Sequence, residues 1–459
     1  MLEDDIYRTS TQYRLWSFTE ESLKSIRANT NALASERVRA AIHRAREARQ
    51  SADAGDTFAG GQPGVSTPNA DDDKAKASEE KEIECLTPEE ELELVQYYCE
   101  KALELGNVYE PQLPTTVRAT AIQYLRRFYL TNSPMTYHPK SIMPCALFLA
   151  TKTENYYMSL RSFTEKIDKA TTEDIIAPEF LLTQGLRFTF DVRHPFRGLE
   201  GGIMELSAIA QGEGLPGPHN TGQTALDLQR SLQSLPPPPS SDPAKPVSVT
   251  NRIAKAHHKT REILKSSAQM TDAYFLYTPP QIWLAALLIA DEPLANFYID
   301  VKFGTLSTTD TAAAVSPEHQ QALSSLRTKL TTVLSSCRNL LSTYPATHIS
   351  PQQRMERLKR IGKKLYHCQN PEKADLVGLN RAQKRMSGNA PAASSIDKAT
   401  SSAAPTPVGE DGGAPGDDAE LQRAAKKRKL EREKFEKEGT NLFGGELVKG
   451  DSSGSKGTS

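Results

Sequence analysis

Two segments of this chain are apolar on nearly every face. Pro139–Thr153 carries Ile142, Met143, Ala146, Leu147, Phe148, Leu149 and Ala150, and Pro280–Asp291 runs Ile282-Trp283-Leu284-Ala285-Ala286-Leu287-Leu288-Ile289. A helix that is apolar all round is stable only when other helices wrap it. Each of these segments sits third in a series of five. Pro88–Leu105, Thr116–Leu130, Leu160–Asp168 and Ala177–Phe190 surround the first, and Phe196–Ala210, Ile253–Leu276, Leu294–Phe303 and His319–Tyr344 surround the second. Length and apolarity repeat in step, and no convincing period-two run competes. The fold class is therefore all-α, two tandem five-helix bundles with flanking N- and C-terminal helices and long disordered segments.

Helix starts are written explicitly. Thr87-Pro88-Glu89-Glu90, Thr278-Pro279-Pro280-Gln281 and Ser350-Pro351-Gln352-Gln353 each place a hydroxyl at the N-cap, proline in the first turn and Glu or Gln at the third position. Proline there loses no helical hydrogen bond, and the long side chain reaches back to the cap. Ahead of the bundles, residues 16–49 read as one amphipathic helix with Leu23, Ile26, Leu33, Val38 and Ile42 on its apolar side. Trp16 and Phe18 head it as a hydrophobic anchor, since large aromatics usually bury. The expected organisation is an N-terminal helical extension over 1–50, a disordered linker over 51–84, a first box over 85–192 and a second over 193–348. A polar, disordered insertion over 211–248 interrupts the second box, its Pro236–Pro239 run unable to continue a helix. A C-terminal helix over 349–380 and a largely disordered tail over 381–459 follow, the tail carrying a charged helical segment over 420–438.

Composition narrows the function. With 56 Lys and Arg against 57 Asp and Glu the net charge is −1, so no global basic field holds a nucleic-acid backbone. Cys85, Cys99, Cys145, Cys337 and Cys368 have neither CxxC nor Cys/His ligand spacing, which argues against a disulfide framework or a structural zinc. Met1–Asp5 is acidic without an apolar h-region, and no apolar run approaches the roughly 20 residues of a membrane span. A chain without membrane or secretory signals is expected to be soluble and intracellular. Phosphate loops, kinase HRD and DFG motifs and HExxH are absent from the sequence, so no catalytic, cofactor or metal residues are expected.

Local sequence carries a resemblance. Tyr124–Leu130 (YLRRFYL), Tyr137-His138-Pro139, Ala146–Glu154 (ALFLATKTE) and Glu179–Phe188 (EFLLTQGLRF) resemble the second, third and fifth helices of a cyclin box. Within the cyclin family the resemblance is to the H type, on His194–Leu206 (HPFRGLEGGIMEL), Thr271–Ile282 (TDAYFLYTPPQI) and Trp16-Ser17-Phe18. It implies a non-catalytic, nuclear regulator that binds and activates a cyclin-dependent kinase of the CDK-activating type. The expected partners are that kinase, a RING-finger assembly subunit and TFIIH. Lys152 would reach main-chain carbonyls of the kinase and pair with Glu179, and Glu154 would contact the rim. The substrate-docking Met-Arg-Ala-Ile-Leu patch of cell-cycle cyclins is replaced by Glu89-Glu90-Glu91-Leu92-Glu93-Leu94. A C- or K-type transcription cyclin is the alternative within the family. A TFIIB-like DNA-binding factor is the alternative outside it, though the chain lacks that factor's zinc ribbon and basic surface.

The tail adds separate expectations. Lys426, Lys427, Arg428 and Lys429 form a nuclear import signal. Leu442 and Phe443, an apolar pair flanked by Gly and acidic residues, are a partner-docking element. Thr67-Pro68 and Thr406-Pro407 are the better phosphosite candidates.

Overall fold

In a computed structural model, the described residues are 7–56, 84–168, 170–216, 223–237, 248–303, 317–345 and 349–370. Among them the regular structure is helical, without strands. Helix α1 (Thr11–Trp16) and the long α2 (Glu20–Asp56) precede the boxes. The first box comprises α3 (Pro88–Val108), α4 (Thr115–Thr131), α5 (Pro139–Thr153), α6 (Leu160–Thr164), α7 (Thr172–Ile176) and α8 (Glu179–Gly185). The second comprises α9 (Phe196–Gln211), α10 (Ala225–Gln233), α11 (Val249–Lys265), α12 (Ser267–Met270), α13 (Ala273–Leu276), α14 (Pro279–Ala290), α15 (Glu292–Phe303) and α16 (Pro317–Leu341). Helix α17 (Pro351–Gln369) closes the described chain.

The two all-apolar segments are the centres of their boxes. Ile142, Cys145, Ala146, Leu147 and Ala150 of α5 are buried, as are Ile282, Ala285, Ala286 and Leu287 of α14, and one continuous core joins the two sets. The capping boxes at Thr87/Glu90 and Ser350/Gln353 are formed, and at Thr278 the Gln281 side chain accepts from the cap backbone N–H at 3.0 Å. Gly202 of α9 lies against Trp283; a Cβ there would come within 2.6 Å of the indole ring. The glycine lets the two backbones approach closely enough for Trp283 to fill the gap.

Several boundaries differ from the sequence reading. Ile253–Leu276 is not one helix but breaks at Ser266, whose backbone leaves the helical region at φ −109°, ψ −85°. The Ser266 hydroxyl donates back to the Glu262 carbonyl at 2.7 Å, a bond that competes with helical continuation. Helix α8 is also shorter than Ala177–Phe190. It stops at Gly185, and Arg187 and Phe188 both turn left-handed at φ 54°. Gly185 allows that turn to press on Phe128, where a Cβ would lie 2.4 Å from the ring.

The insertion over 211–248, expected to be disordered, contains an ordered helix among its described residues. Residues 225–233 form α10, capped by Thr224 and Asp227, with Leu228 and Leu232 buried in the main core. An apolar pair at i, i+4 faces one side of a helix and gives it something to bury, which the polar average of the segment conceals.

Trp16 is buried among Leu23, Leu130 and Phe275, so it anchors α1 and α2 where the two boxes meet. Its indole Nε1 donates to Thr189 Oγ1 at 2.9 Å, and the guanidinium groups of Arg127 and Arg187 each lie 5.1 Å from its ring. Leu33, counted on the apolar side of this helix, is instead exposed. Further along α2, Ala34, Val38 and Ile42 pack with Leu86 and Leu94 and with Ile361, Leu365 and Cys368 of α17. The flanking helices thus cover the outer side of α3. Among the described residues no helix is long and apolar enough to cross a membrane, and no cluster of His, Cys, Asp and Glu could hold a metal.

Candidate functional site: the α5–α8 face

Helix α5 begins at the His138 cap and ends at Glu154, where Lys152 occupies the last turn. A cation there complements the carbonyl end of the helix dipole. Lys152 Nζ contacts Glu179 Oε1 at 2.5 Å and lies 4.8 Å from the centre of the Phe148 ring. Glu179 is the first residue of α8, the favourable end for a carboxylate. Both partners remain within reach of solvent, their side chains 43% and 26% exposed. An ion pair so exposed contributes about 0–1 kcal/mol to the fold.

The ends of these two helices carry uncovered aromatic surface. Phe180, next to Glu179, is 67% exposed, Phe188 just after α8 is 62% exposed, and Tyr157 just after α5 is 92% exposed. Phe180 lies in the first turn of α8 and Phe188 follows its stop at Gly185, and both are at the surface. Three non-glycine residues among those described have left-handed backbones: Asn155 at φ 55°, just after α5, and Arg187 and Phe188, just after α8. Such conformations cost about 1–3 kcal/mol each for bulky residues and cluster where a surface is built for contact. Exposed large apolar side chains around a charged pair are the composition of a protein interface, with anchors at the centre and polar groups positioned beside them.

Glu154 is placed differently from the other two. It is half-buried and accepts a hydrogen bond from Thr120 of α4 at 2.6 Å, so its carboxylate is tethered inward while remaining partly open to solvent. Lys152, Glu154 and Glu179 therefore share one end of the first box. Residues 426–429 and the pair Leu442 and Phe443 lie outside the described residues. Of the sequence-read cysteines, Cys99, Cys145, Cys337 and Cys368 are buried, and burial pushes each of these thiols up to about 12. They are inert packing groups.

Tandem helical boxes with a charged, aromatic-rimmed face on the first define a cyclin-type binding module. Family models agree: the N-terminal cyclin domain matches residues 105–191 and the C-terminal cyclin domain matches 194–342, and the chain belongs to the cyclin family. It is similar to "Cyclin CCL1" of Saccharomyces cerevisiae, 33% identical over 301 residues, covering 66% of this chain and 62% of that one. It is also similar to "Cyclin-H" of Xenopus laevis, 36% identical over 131 residues, or 27% of this chain and 41% of the other. The matched region thus spans less than two thirds of either relative. Among solved structures it is similar to a chain in the CAK complex of Chaetomium thermophilum bound to ATP-gamma-S. That match is 31% identical, covers 87% of this chain and 99% of the other, and has a TM-score of 0.55.

Proposed function

We propose that this chain is a nuclear regulatory cyclin that binds and allosterically activates a cyclin-dependent kinase of the CDK-activating type. Its activity is exerted with a RING-finger assembly subunit and within TFIIH, in transcription and cell-cycle control. The observation that carries this reading is the Lys152–Glu179 pair set among exposed aromatic residues on the α5–α8 face. Its similarity to the Chaetomium CAK chain and to a cyclin-H supports the choice of kinase class.

The mechanism is differential binding. The chain stabilises the kinase conformation in which a mobile helix brings its glutamate to the ATP-binding lysine. Shifting that equilibrium from about 1% to 99% active takes about 5.5 kcal/mol of preferential affinity. An interface of ordinary size with a few aromatic anchors can supply it. Phe180 and Phe188 provide the apolar area, and Lys152, oriented by Glu179, is aimed at main-chain carbonyls that only the active arrangement presents. Phosphotransfer belongs to the partner, and the isolated chain has none.

The test is Lys152→Ala. The free chain should keep its helicity and melting temperature, because an exposed pair contributes about 0–1 kcal/mol. In the complex the pair becomes desolvated, and removing one member costs about 3–5 kcal/mol, most of it from stranding Glu179. Affinity for the kinase and the extent of activation should fall together. Unchanged kinase affinity, or an equal loss of fold stability, would overturn the assignment.

A further inference from the structure

Glu154 is one end of a hydrogen-bonded series that runs through both boxes. Thr120 donates to Glu154 Oε1 at 2.6 Å, and Thr120 Oγ1 also meets His194 Nε2 at 2.8 Å. His194 Nδ1 meets the Tyr274 hydroxyl at 3.0 Å. That hydroxyl accepts from Gln269 Nε2 at 2.7 Å, and Gln269 Oε1 accepts from Gln123 Nε2 at 2.9 Å. Thr120 and Gln123 lie on α4, Gln269 on α12 and Tyr274 on α13, while His194 opens the matched C-terminal domain. The series leaves the first box at Thr120 and returns to it at Gln123.

Its direction follows from counting protons. Thr120 has one hydroxyl proton and gives it to a carboxylate that can only accept, so Thr120 Oγ1 must accept from the imidazole. That places the ring proton on Nε2. From the other end, the Gln269 amide donates to the Tyr274 oxygen, and the Tyr274 proton is left to go to Nδ1. Both ends fix the same tautomer independently. An imidazolium would carry protons on both nitrogens and leave the Tyr274 proton without an acceptor. Burial, aided by the charge of Arg127, pushes the ring down to about 3, which keeps it neutral.

We infer that Gln123, Gln269, Tyr274, His194, Thr120 and Glu154 form a one-way hydrogen-bond chain that holds the Glu154 carboxylate in one orientation on the kinase-facing rim and ties that rim to the second box. Thr120 and His194 are positioning residues in it. The consequence for kinase binding rests on the function proposed above; the tautomer is a property of the free chain. Thr120 is fully buried and reaches no partner, so any effect of its hydroxyl on affinity must pass through Glu154.

Long-range proton–nitrogen correlation spectra of the labelled free chain, with His194 assigned by its loss in His194→Gln, read the tautomer directly. The expected result is neutral imidazole protonated on Nε2 alone from about pH 5 to 8. Thr120→Val should erase that single-tautomer signature and weaken kinase binding about three- to tenfold, the net worth of one ordinary hydrogen bond, since Thr120 acts only through the orientation of Glu154. Thr120→Ser should retain both. Glu154→Ala tests the chain from its half-exposed end and should also free the His194 ring to exchange tautomers. Protonation on Nδ1, or an imidazolium at neutral pH, overturns the chain. Unchanged kinase affinity in Thr120→Val alongside a loss in Lys152→Ala overturns the coupling alone. If neither variant changes affinity, the kinase-face reading fails and the coupling with it.

Discussion

Arg126 and Asp272 form an ion pair at 2.5 Å across the junction of the two boxes, with the arginine side chain 3% exposed. Arg27 of α2 closes on the same carboxylate at 2.6 Å, so one aspartate joins the N-terminal helix, the first box and the second. Burial alone would raise this carboxyl, but the Arg27 hydrogen bond and the Arg126 charge outweigh it and hold it below its ordinary value. A carboxyl depressed in the folded state contributes stability that is present above its unfolded value, near 3.9, and lost as pH falls through the folded one. Asp272→Asn should destabilise the chain by about 3–5 kcal/mol at pH 7, since it leaves two guanidinium groups uncompensated. The difference should shrink below about pH 4. Urea melts at pH 7 and pH 3 check this; a difference independent of pH would show that the charge is not what joins the boxes.

Trp16→Phe and Trp16→Ala separate the two roles of this side chain. The first keeps an aromatic body but loses the Thr189 hydrogen bond and much of the attraction to Arg127 and Arg187. A loss of about 1–2 kcal/mol is expected. The second empties the pocket formed with Leu23, Leu130 and Phe275 and should cost about 3–5 kcal/mol. If α1 instead serves only to touch a partner, both variants will melt like the parent chain.

What could be read from sequence depended on whether a signal was local. The all-round apolarity of Pro139–Thr153 and the cap at Thr278 specify a central helix and a helix start from neighbouring residues alone, and both are realised. The close approach of Gly185 to Phe128 joins residues far apart in the chain, and the exposure of Phe180 and Phe188 likewise depends on which remote elements pack on α8, so neither was legible. Helix α10 carries a local signal as well: Thr224 and Asp227 follow the same cap-and-return spacing as Thr87 and Glu90. The spacing of Lys152 and Glu179 gave no hint of contact without the family pattern, because 26 residues separate them in the chain. Nor could sequence show that Thr120, His194 and Tyr274 would meet, since hydrogen bonding between remote helices leaves no periodicity.

Leu228 tests whether the insertion is part of the second box. Its side chain is fully buried and shares the main core with Leu232. Leu228→Ala should cost about 2–5 kcal/mol, the range for truncating a buried leucine. Leu226, on the same helix but 55% exposed, is the control, and Leu226→Ala should change the melting temperature little. Equal, small effects from both would mean that α10 is a dispensable surface element.

Glu91 gives a pH dependence of opposite sign to that of Asp272. It is 8% exposed on α3, accepts a short hydrogen bond from Ser133, and burial pushes its carboxyl up to about 7. A carboxyl raised in the folded state contributes its full stability below its unfolded value, near 4.3, and that contribution is lost as pH rises through the folded value, here about 7. Glu91→Gln keeps the shape and an acceptor for Ser133 but removes the buried charge. The variant should therefore gain on the parent chain as pH rises from about 4 to 7, reaching at most about 4 kcal/mol by pH 8. Below about pH 4 the two should differ little, because the parent carboxyl is then neutral in both states. Paired melts across that range decide it. A constant offset would mean that Glu91 stays ionised inside the fold, and the variant would then be expected to lose stability at every pH instead.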